Sequence, residues 1–466
     1  MSGRVRGKRR ADAAAHGSSI AFYGIPFAEH PVGALRFTAP RPPRAWAGVR
    51  DARQPADPRL NGLHVNVFTP ALDGALPVVF WIHGGGFTSG SPLDEQLDGF
   101  SLNRAGIVLV SASYRLGFEG FGSLAGAVDN RGVRDWLAAL AWVRRSIRSF
   151  GGDPDQVTIG GHSAGGGAVL TLLGLPAAQP LFHRAFSLSG ALGDVTPDAA
   201  RARSRRLAML AGVDVADLGR VEPELLAALL PQAASADSGD AAREERMRDG
   251  LPWGPIVDGE LVTHPATLTR VGDDKPLLLG AADDEFTPGQ LARQHELARK
   301  SPGAVLRPFL ADDRARRAYI SANADAAGRG GAHLLGRLLS DRICRTLVPQ
   351  FARRRTAASS GTWAYRFCWP SPVTGVASHT IDLPFWFNGL GKPRARRLLG
   401  DRAPQQLADE MHRTLVRFAR DSDPGWPSTA SVAEVTRVFG GDATLSAAAY
   451  DSVLPLLDLD QSESMP

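Results

Sequence analysis

The chain has 466 residues, of which 44% are hydrophobic and 22% charged, and 53 Lys+Arg against 48 Asp+Glu give a formal net charge of +5. This composition excludes a wholly disordered chain, and 51 Gly without a three-residue period exclude collagen. The basic excess is local, because the five Arg and Lys between residues 4 and 10 equal the whole net charge. We therefore predict a solvated basic hairpin there and no nucleic-acid partner.

Cysteine content and hydropathy bear on the compartment. Cys344 and Cys368 are too few for a disulfide framework, although one bridge between them stays open, and a Cys-poor chain suits a reducing compartment. The first twenty residues lack the apolar run of about 7–15 residues that a secretory signal needs. No apolar run reaches the roughly 18 residues of a membrane span. We expect a cytoplasmic protein without a membrane partner.

Short apolar runs alternate with helical patterns along the chain. The runs at residues 77–82, 107–112, 157–159, 185–189 and 276–280 predict buried strands. Between them, residues 133–150 place apolar side chains at helical spacing with arginines opposite. This alternation predicts an α/β fold with a mostly parallel sheet covered by helices on both faces. Segments near 196–248 and 290–356 are predicted as helical insertions within one domain spanning residues 1–466.

The first candidate functional element is Trp-Ile-His-Gly-Gly-Gly-Phe at residues 81–87, at the end of a predicted strand. Three consecutive glycines leave backbone N–H groups uncovered by side chains. Such groups suit an oxyanion hole, whose donors lie about 2.7–3.1 Å from the developing negative charge. A flexible loop is the alternative interpretation. The glycine loop precedes the next motif by one strand and one helix, and this order favours the interpretation as an oxyanion hole.

The second element is the G-x-S-x-G sequence at residues 161–165, where the strand at 157–159 runs into a helical segment. A serine on this tight turn has strained backbone angles, and the flanking glycines let neighbouring backbone pass close to it. The Ser163 hydroxyl is then exposed at a helix N-terminus, which favours developing negative charge. A plain strand-to-helix turn is the alternative, and the surrounding pattern favours a nucleophile.

Several further blocks occur in an order that resembles the type-B carboxylesterases, the family of the bacterial para-nitrobenzyl esterases and the cholinesterases. The similarity extends over almost the whole chain. The matching blocks are Gly-Ile-Pro-Phe-Ala at 24–28, Asn-Val-Phe-Thr-Pro at 66–70, Tyr-Arg-Leu-Gly at 114–117, Phe-Gly-Gly-Asp-Pro at 150–154, Leu-Phe-His-Arg-Ala at 181–185 and Phe-Ala-Arg at 418–420. The resemblance implies an α/β-hydrolase fold.

The resemblance also implies a Ser-His-Glu triad. Its acid-bearing loop matches residues 280–285 and assigns the acid to Glu285, with Asp283 and Asp284 as alternatives. Its histidine block matches residues 378–385 and assigns the base to His379. Matching positions assign the oxyanion hole to the N–H groups of Gly85, Gly86 and Ala164.

Departures from the family pattern concern the surroundings of this triad. His162 stands where the family has an acidic or amide residue, and it either affects the local field or substrate, or packs as a neutral side chain. Phe286 replaces a glycine. With Phe87, these two residues are the predicted substrate-pocket side chains. The early disulfide loop is absent around residues 51–63, which argues against choline esters and leaves Arg36 without its usual ion-pair partner.

Together these features predict a serine carboxylic-ester hydrolase acting on small to medium uncharged esters through an acyl-enzyme, without a cofactor or metal. A specialised natural-product ester or lactone hydrolase, or an acyltransferase, would use the same triad. A non-catalytic binding relative is the third alternative. The retained Ser163 and His379 favour an enzyme.

Overall fold

The computed structural model describes residues 3–12, 17–55, 62–234, 250–432 and 434–463. The strands are β1 (Arg4–Arg6), β2 (Lys8–Asp12), β3 (Gly17–Pro26), β4 (Val49–Asp51), β5 (His64–Thr69), β6 (Leu76–Ile82), β7 (Val108–Ala112), β8 (Gly152–His162), β9 (Arg184–Leu188), β10 (Leu277–Ala282), β11 (Thr362–Phe367), β12 (Thr436–Phe439) and β13 (Leu445–Ser446).

The α-helices are α1 (Phe100–Arg104), α2 (Gly117–Phe121), α3 (Arg131–Ser146), α4 (Ala164–Leu173), α5 (Pro197–Ala211), α6 (Pro223–Ala233), α7 (Thr287–Leu291), α8 (Gln294–Leu297), α9 (Pro302–Leu306), α10 (Asp313–Ala322), α11 (Ala324–Gly328), α12 (Gly331–Ser340), α13 (Leu347–Arg354), α14 (Leu383–Trp386), α15 (Pro393–Leu399), α16 (Gln405–Asp421) and α17 (Leu454–Glu463). None of these described helices is both long and apolar enough to cross a membrane.

One 11-stranded sheet runs in the order β13-β12-β11-β10-β9-β8-β6-β7-β5-β3-β2. Neighbours from β12 to β7 in this order are parallel. Antiparallel pairs extend it at both ends. The predicted α/β architecture with a mostly parallel sheet is confirmed, and the five predicted apolar runs fall on β6 to β10.

Strand β6 shows how the sheet divides the core. Side chains along a strand point alternately to opposite faces. Val78 and Phe80 join a buried cluster with residues of α3 and α4, whereas Val79 and Trp81 join another with residues of α16. Helices therefore cover both faces of the sheet, as predicted.

The helix predicted at residues 133–150 is α3 followed by a 3₁₀ turn at Ile147–Phe150. Its apolar side Val133 and Trp136 is fully buried, whereas Arg144 is exposed, as amphipathic spacing requires. Gly151 follows at φ 78°, a left-handed conformation that glycine adopts without strain, and the chain turns there into β8.

The regions predicted as insertions contain helices. α5 and α6 lie within residues 196–248, of which 235–249 fall outside the described residues, and α8 to α13 lie within 290–356. Residues 56–61, which include part of the segment without the disulfide loop, are also outside them. That residues 1–466 form one domain stays a prediction.

Four of the five basic side chains of the N-terminal segment, Arg4, Arg6, Lys8 and Arg9, are exposed as predicted, and Arg10 is the exception. β2 and β3 pair antiparallel, but Arg10 is partly buried and donates hydrogen bonds to Ser19 Oγ and the Asp98 carbonyl, each at 2.7 Å. Its guanidinium also lies 4.3 Å from the centre of the Phe100 ring, a cation–π contact. Burial lowers the pKa of Arg10. Its charge therefore serves packing within the fold.

Arg36 and Arg115 connect the segment at residues 36–38 to helices α2 and α3. Arg36 forms an ion pair with Glu119 of α2 at 2.6 Å, so it has a partner that lies outside the segment from which its usual partner was expected to be missing. Arg115 binds both carboxylate oxygens of Asp135 in α3, at 2.6 and 2.9 Å, with both side chains buried. It also donates to the carbonyl of Thr38 at 2.7 Å.

The buried Arg115–Asp135 pair predicts a large effect of truncation. Replacing Asp135 with Ala leaves the Arg115 guanidinium buried without its counter-charge, which should lower the free energy of unfolding by about 3–5 kcal/mol. Urea denaturation followed by tryptophan fluorescence measures this loss. The exposed Asp198, paired with Arg201, provides the control, because Asp198→Ala should cost less than about 1 kcal/mol. Equal midpoints for the two variants would contradict the prediction.

Candidate active site

The segments that carry the predicted site residues meet at one edge of the sheet. Ser163 follows β8, the glycines at 84–86 follow β6, and Glu285 follows β10. His379 lies between β11 and α14. These strands belong to the parallel part of the sheet, so their carboxyl ends share an edge, the usual position of ligand sites in α/β folds.

Ser163 has the strained backbone expected of the turn, with φ 59° and ψ −127°. Two glycines allow it. A Cβ on Gly161 would stand 2.3 Å from backbone atoms of Gly165, and one on Gly165 would stand 2.1 Å from the Ile82 carbonyl. The Ser163 N–H donates to the Leu188 carbonyl at 3.0 Å, and its own carbonyl accepts from Gly167 and Ala191. The strain is thus held by tertiary hydrogen bonds.

The glycine loop after β6 packs directly on this turn. A Cβ on Gly84 would lie 2.6 Å from the His162 carbonyl and 3.1 Å from Ser163 Cβ. Gly85 and Gly86 follow with φ 117° and 60°. Ala164 is the first residue of α4, where backbone N–H groups have no partner within the helix. The contact at Gly84 therefore brings the loop that carries Gly85 and Gly86 to the Ser163 turn, and Ala164 directly follows Ser163.

Phe87 is in the core. It is fully buried, and its ring packs 5.1 Å from Phe121 and 5.9 Å from Trp136, measured between ring centres. Its carbonyl accepts a hydrogen bond from Gly117 at 2.7 Å. The full burial of this ring among core side chains argues against the prediction that Phe87 lines the substrate pocket.

Glu285 contacts His379 through both side chain and backbone. Its Oε2 lies 2.5 Å from His379 Nδ1, and its Oε1 accepts from the Ala282 N–H at 2.7 Å. The backbone N–H of His379 donates to the Glu285 carbonyl at 2.9 Å. Because the Glu285 carboxylate is fully buried and each oxygen has a partner, its orientation toward the imidazole is fixed.

The two adjacent aspartates have other partners. Asp283 accepts from Arg366 at 2.6 and 2.7 Å and faces Arg345 at 3.4 Å. Burial opposes its ionisation, but Arg345 and Arg366 outweigh burial and lower the pKa of Asp283. Asp284 faces Arg337 at 3.5 Å. Both alternatives to Glu285 are thus held in ion pairs away from His379.

The imidazole of His379 lies between Glu285 and the rings of His162 and Phe286. Its side chain is 20% exposed, and its ring centre is 4.5 Å from that of His162 and 5.1 Å from that of Phe286. Among the described residues, Ser163 Oγ makes no hydrogen bond. Hydrogen bonds between a serine hydroxyl and its histidine base are often long in ligand-free sites and tighten on substrate binding.

His162 and Asp382 form a second buried polar pair. His162 Nε2 is 4.0 Å from Asp382 Oδ1, and Tyr365 donates to Asp382 Oδ2 at 3.2 Å. Burial lowers the pKa of His162 well below its usual value and raises that of Asp382 to about 7. Asp382 was missed in the sequence, although it lies three residues after His379 in the matching block.

Glu285, His379 and Cys344 bring potential metal ligands within 4.8 Å of one another. The acid and base are already bonded to each other, and the Cys344 thiol donates to the Ser189 carbonyl at 3.4 Å. Burial raises the pKa of this thiol well above its usual value, with a further contribution from Glu285. The thiolate that a metal needs is therefore disfavoured here.

Apolar side chains form one side of the site. Leu251, Phe286 and Ile343 are partly exposed and pack around a small cluster that includes Ala191. The Ala191 N–H binds the Ser163 carbonyl at 3.0 Å, which puts this apolar wall beside the turn. Phe286, predicted as a pocket residue, belongs to it.

Comparisons with known proteins identify the family of this chain. The sequence model of the Carboxylesterase family matches residues 1–435. The chain is 32% identical over 467 residues to the para-nitrobenzyl esterase of Bacillus subtilis strain 168, which covers 91% of each chain. It is 33% identical over 448 residues to the fumonisin B1 esterase of Sphingopyxis macrogoltabida, covering 85% of this chain and 78% of that protein.

A solved structure supports the same assignment. The carboxylesterase of Geobacillus stearothermophilus superposes with a TM-score of 0.82 at 28% identity, covering 96% of this chain and 98% of the other. The predicted family resemblance and the α/β-hydrolase fold are thereby confirmed. The chain belongs to the Carboxylesterase family and is a carboxylic ester hydrolase.

Proposed function

We propose that the hydrolase uses Ser163 as nucleophile, His379 as general base and Glu285 as the acid that orients the imidazole. The observation that carries this proposal is the 2.5 Å contact between Glu285 Oε2 and His379 Nδ1, reinforced by the backbone bond between the same residues. This contact supports the tautomer of His379 that carries a proton on Nδ1 and a free lone pair on Nε2.

The reaction then follows two acyl-transfer steps. Ser163 Oγ attacks the ester carbonyl carbon while His379 Nε2 takes its proton, and Glu285 stabilises the imidazolium. The tetrahedral intermediate collapses, His379 returns the proton to the leaving alcohol, and an acyl-enzyme remains on Ser163. Water attacks the acyl carbon with His379 again as base, releasing the carboxylic acid and regenerating Ser163.

The oxyanion of each tetrahedral intermediate is bound by the N–H groups of Gly85, Gly86 and Ala164 in this proposal. Two observations support it. The glycine loop packs against the Ser163 turn with no side chain between them, and Ala164 begins α4, whose N-terminal dipole favours negative charge. One such donor is worth about a hundred- to a thousandfold in turnover.

The preference for small to medium uncharged esters rests on the apolar wall. Leu251, Phe286 and Ile343 offer no charge to an acyl group, and Phe286 also contacts the imidazole of His379. A charged acyl group would lose its hydration against this wall without gaining a partner. No step of the proposed reaction calls for a cofactor.

We also propose a cytoplasmic location. Cys344 and Cys368 are both free thiols, which fits the reducing compartment expected from their number.

The triad assignment predicts a specific ranking of variants. Ser163→Ala should abolish the burst of para-nitrophenolate from para-nitrophenyl acetate, because no acyl-enzyme can form. Glu285→Gln should lower kcat by about 10³–10⁴-fold, since a neutral amide no longer stabilises the imidazolium. Stopped-flow absorbance measures both effects.

The control for the acid is Asp283→Asn, which should lower the melting temperature because Arg366 loses its partner and Arg345 keeps only Asp341, while kcat stays within about tenfold of the wild type. A larger kcat loss in Asp283→Asn than in Glu285→Gln would reject the assignment of the acid.

Adding a competing alcohol separates hydrolysis from acyl transfer. If the new ester is the dominant product even in water, the enzyme is an acyltransferase.

The apolar wall predicts a change in chain-length preference. Phe286→Ala removes a ring beside the acyl position and should raise the ratio of kcat/KM for para-nitrophenyl octanoate over acetate by about tenfold or more, because added methylenes gain space. Steady-state kinetics on both esters give this ratio, which cancels any shared effect on His379. Leu268→Ala, at an exposed leucine, is the matched control and should leave the ratio unchanged. An unchanged ratio in Phe286→Ala would remove Phe286 from the pocket.

A further inference from the structure

His162 and Asp382 lie beside the triad with polar atoms that the proposed reaction does not use. His162 Nε2 and Asp382 Oδ1 are both buried, and neither has a hydrogen-bond partner among the described residues. They face each other at 4.0 Å. Buried polar atoms in proteins are almost always paired, so two unpaired atoms facing each other at this distance require an explanation.

A small side-chain movement would join them. His162 is the last residue of β8, and Asp382 directly precedes α14, so the backbone of each is anchored by regular structure. Tyr365 already holds the other carboxyl oxygen at 3.2 Å. Closing the gap by roughly 1 Å gives a normal N···O hydrogen bond without moving either strand or helix.

The surrounding charges decide how the pair is protonated. Asp382 faces Glu285, His379, Tyr365 and Cys344 within the buried side of the site. Its pKa is raised to about 7, chiefly by burial and then by the charge of Glu285.

Burial is also the main influence on His162, followed by the positive charges of His379 and Arg394, and all three lower its pKa. The imidazole of His162 is therefore neutral. Near neutral pH the pair therefore has two forms that differ by one proton. In one form the Asp382 carboxylic acid faces the Nε2 lone pair of His162, and in the other the Asp382 carboxylate faces an Nε2–H.

We propose that His162 and Asp382 share this proton in a hydrogen bond, and that the pair positions His379 and sets its basicity. The ring contact of 4.5 Å between His162 and His379 transmits position. The ionised form of Asp382 adds a second negative charge near the imidazolium that forms when His379 accepts the Ser163 proton. The inference rests on the proposed triad.

The sign of the effect follows from the charges. A carboxylate near His379 stabilises the imidazolium that forms when His379 accepts a proton. Removing that charge makes the imidazolium harder to form, so the acidic limb of the kcat/KM profile moves to lower pH. Removing the His162 nitrogens destabilises the carboxylate, keeps Asp382 protonated to higher pH and moves the limb in the same direction.

The experiment measures kcat/KM for para-nitrophenyl acetate from pH 5 to 9, a range of about four units around the usual pKa of histidine. Asp382→Asn and His162→Phe should each move the acidic limb to lower pH by about half a unit or more. His162→Gln, which keeps an N–H donor toward Asp382, should restore the wild-type limb. The double variant His162→Phe/Asp382→Asn should match Asp382→Asn alone, because the two residues act as one pair.

Controls separate this effect from misfolding. His64→Gln changes a partly buried histidine, which contacts the Gly62 carbonyl, and should leave the limb in place. Titration with an organophosphonate counts the active sites of each variant, and the pH of the limb does not depend on that count.

The inference is overturned by a limb within about 0.2 units of the wild type in both His162→Phe and Asp382→Asn, or by additive shifts in the double variant. Failure of the triad itself has a different signature, because Ser163→Ala or Glu285→Gln would then keep wild-type turnover.

Discussion

The site depends on a turn at which the backbone at the end of β8 and at the start of α4 leaves no space for a side chain. Gly161 and Gly165 leave no space for a Cβ, with carbonyl or main-chain atoms 2.1 to 2.3 Å from where it would stand. This close approach lets β8 pass straight into α4 and leaves Ser163 at the corner with φ 59°. The glycine loop after β6 reaches the same corner because it also lacks a Cβ at Gly84. The lack of side chains at these glycines therefore lets the proposed nucleophile and the proposed N–H donors come together.

Charge organises the opposite side of the site. Three consecutive acidic residues follow β10, and each has a different partner: Arg366 and Arg345 for Asp283, Arg337 for Asp284, and His379 for Glu285. Ion pairs hold the first two in place and leave the third to face the imidazole. The two residues that precede Glu285 are thus anchored, so the position of Glu285 relative to His379 does not depend on their mutual contact alone.

Local pattern carried much of this from the sequence. The strands β6 to β10, the turn at Ser163 and the glycine loop follow from apolar runs and glycine spacing, because their causes lie within a few residues. Glu285 was separable from Asp283 only through family resemblance, since the arginines that engage Asp283 lie 60 or more residues away along the chain.

Distant partners account for what the sequence did not predict. The pairing of Arg36 with Glu119 and the packing of Arg10 over Phe100 join segments more than 80 residues apart. Phe87 follows two glycines with positive φ, and its ring packs against Phe121 and Trp136, which lie more than 30 residues away along the chain. Asp382 became visible only when its unpaired oxygen was seen opposite His162.

The apolar wall is assembled from three separate stretches of chain, at Leu251, Phe286 and Ile343, none of which carries the nucleophile or the glycine loop. Substitutions in these stretches can reshape the acyl side while the proton path stays intact. Evolution or laboratory selection could therefore explore new esters one residue at a time, and positions 251 and 343 lie in stretches that carry none of the proposed triad residues.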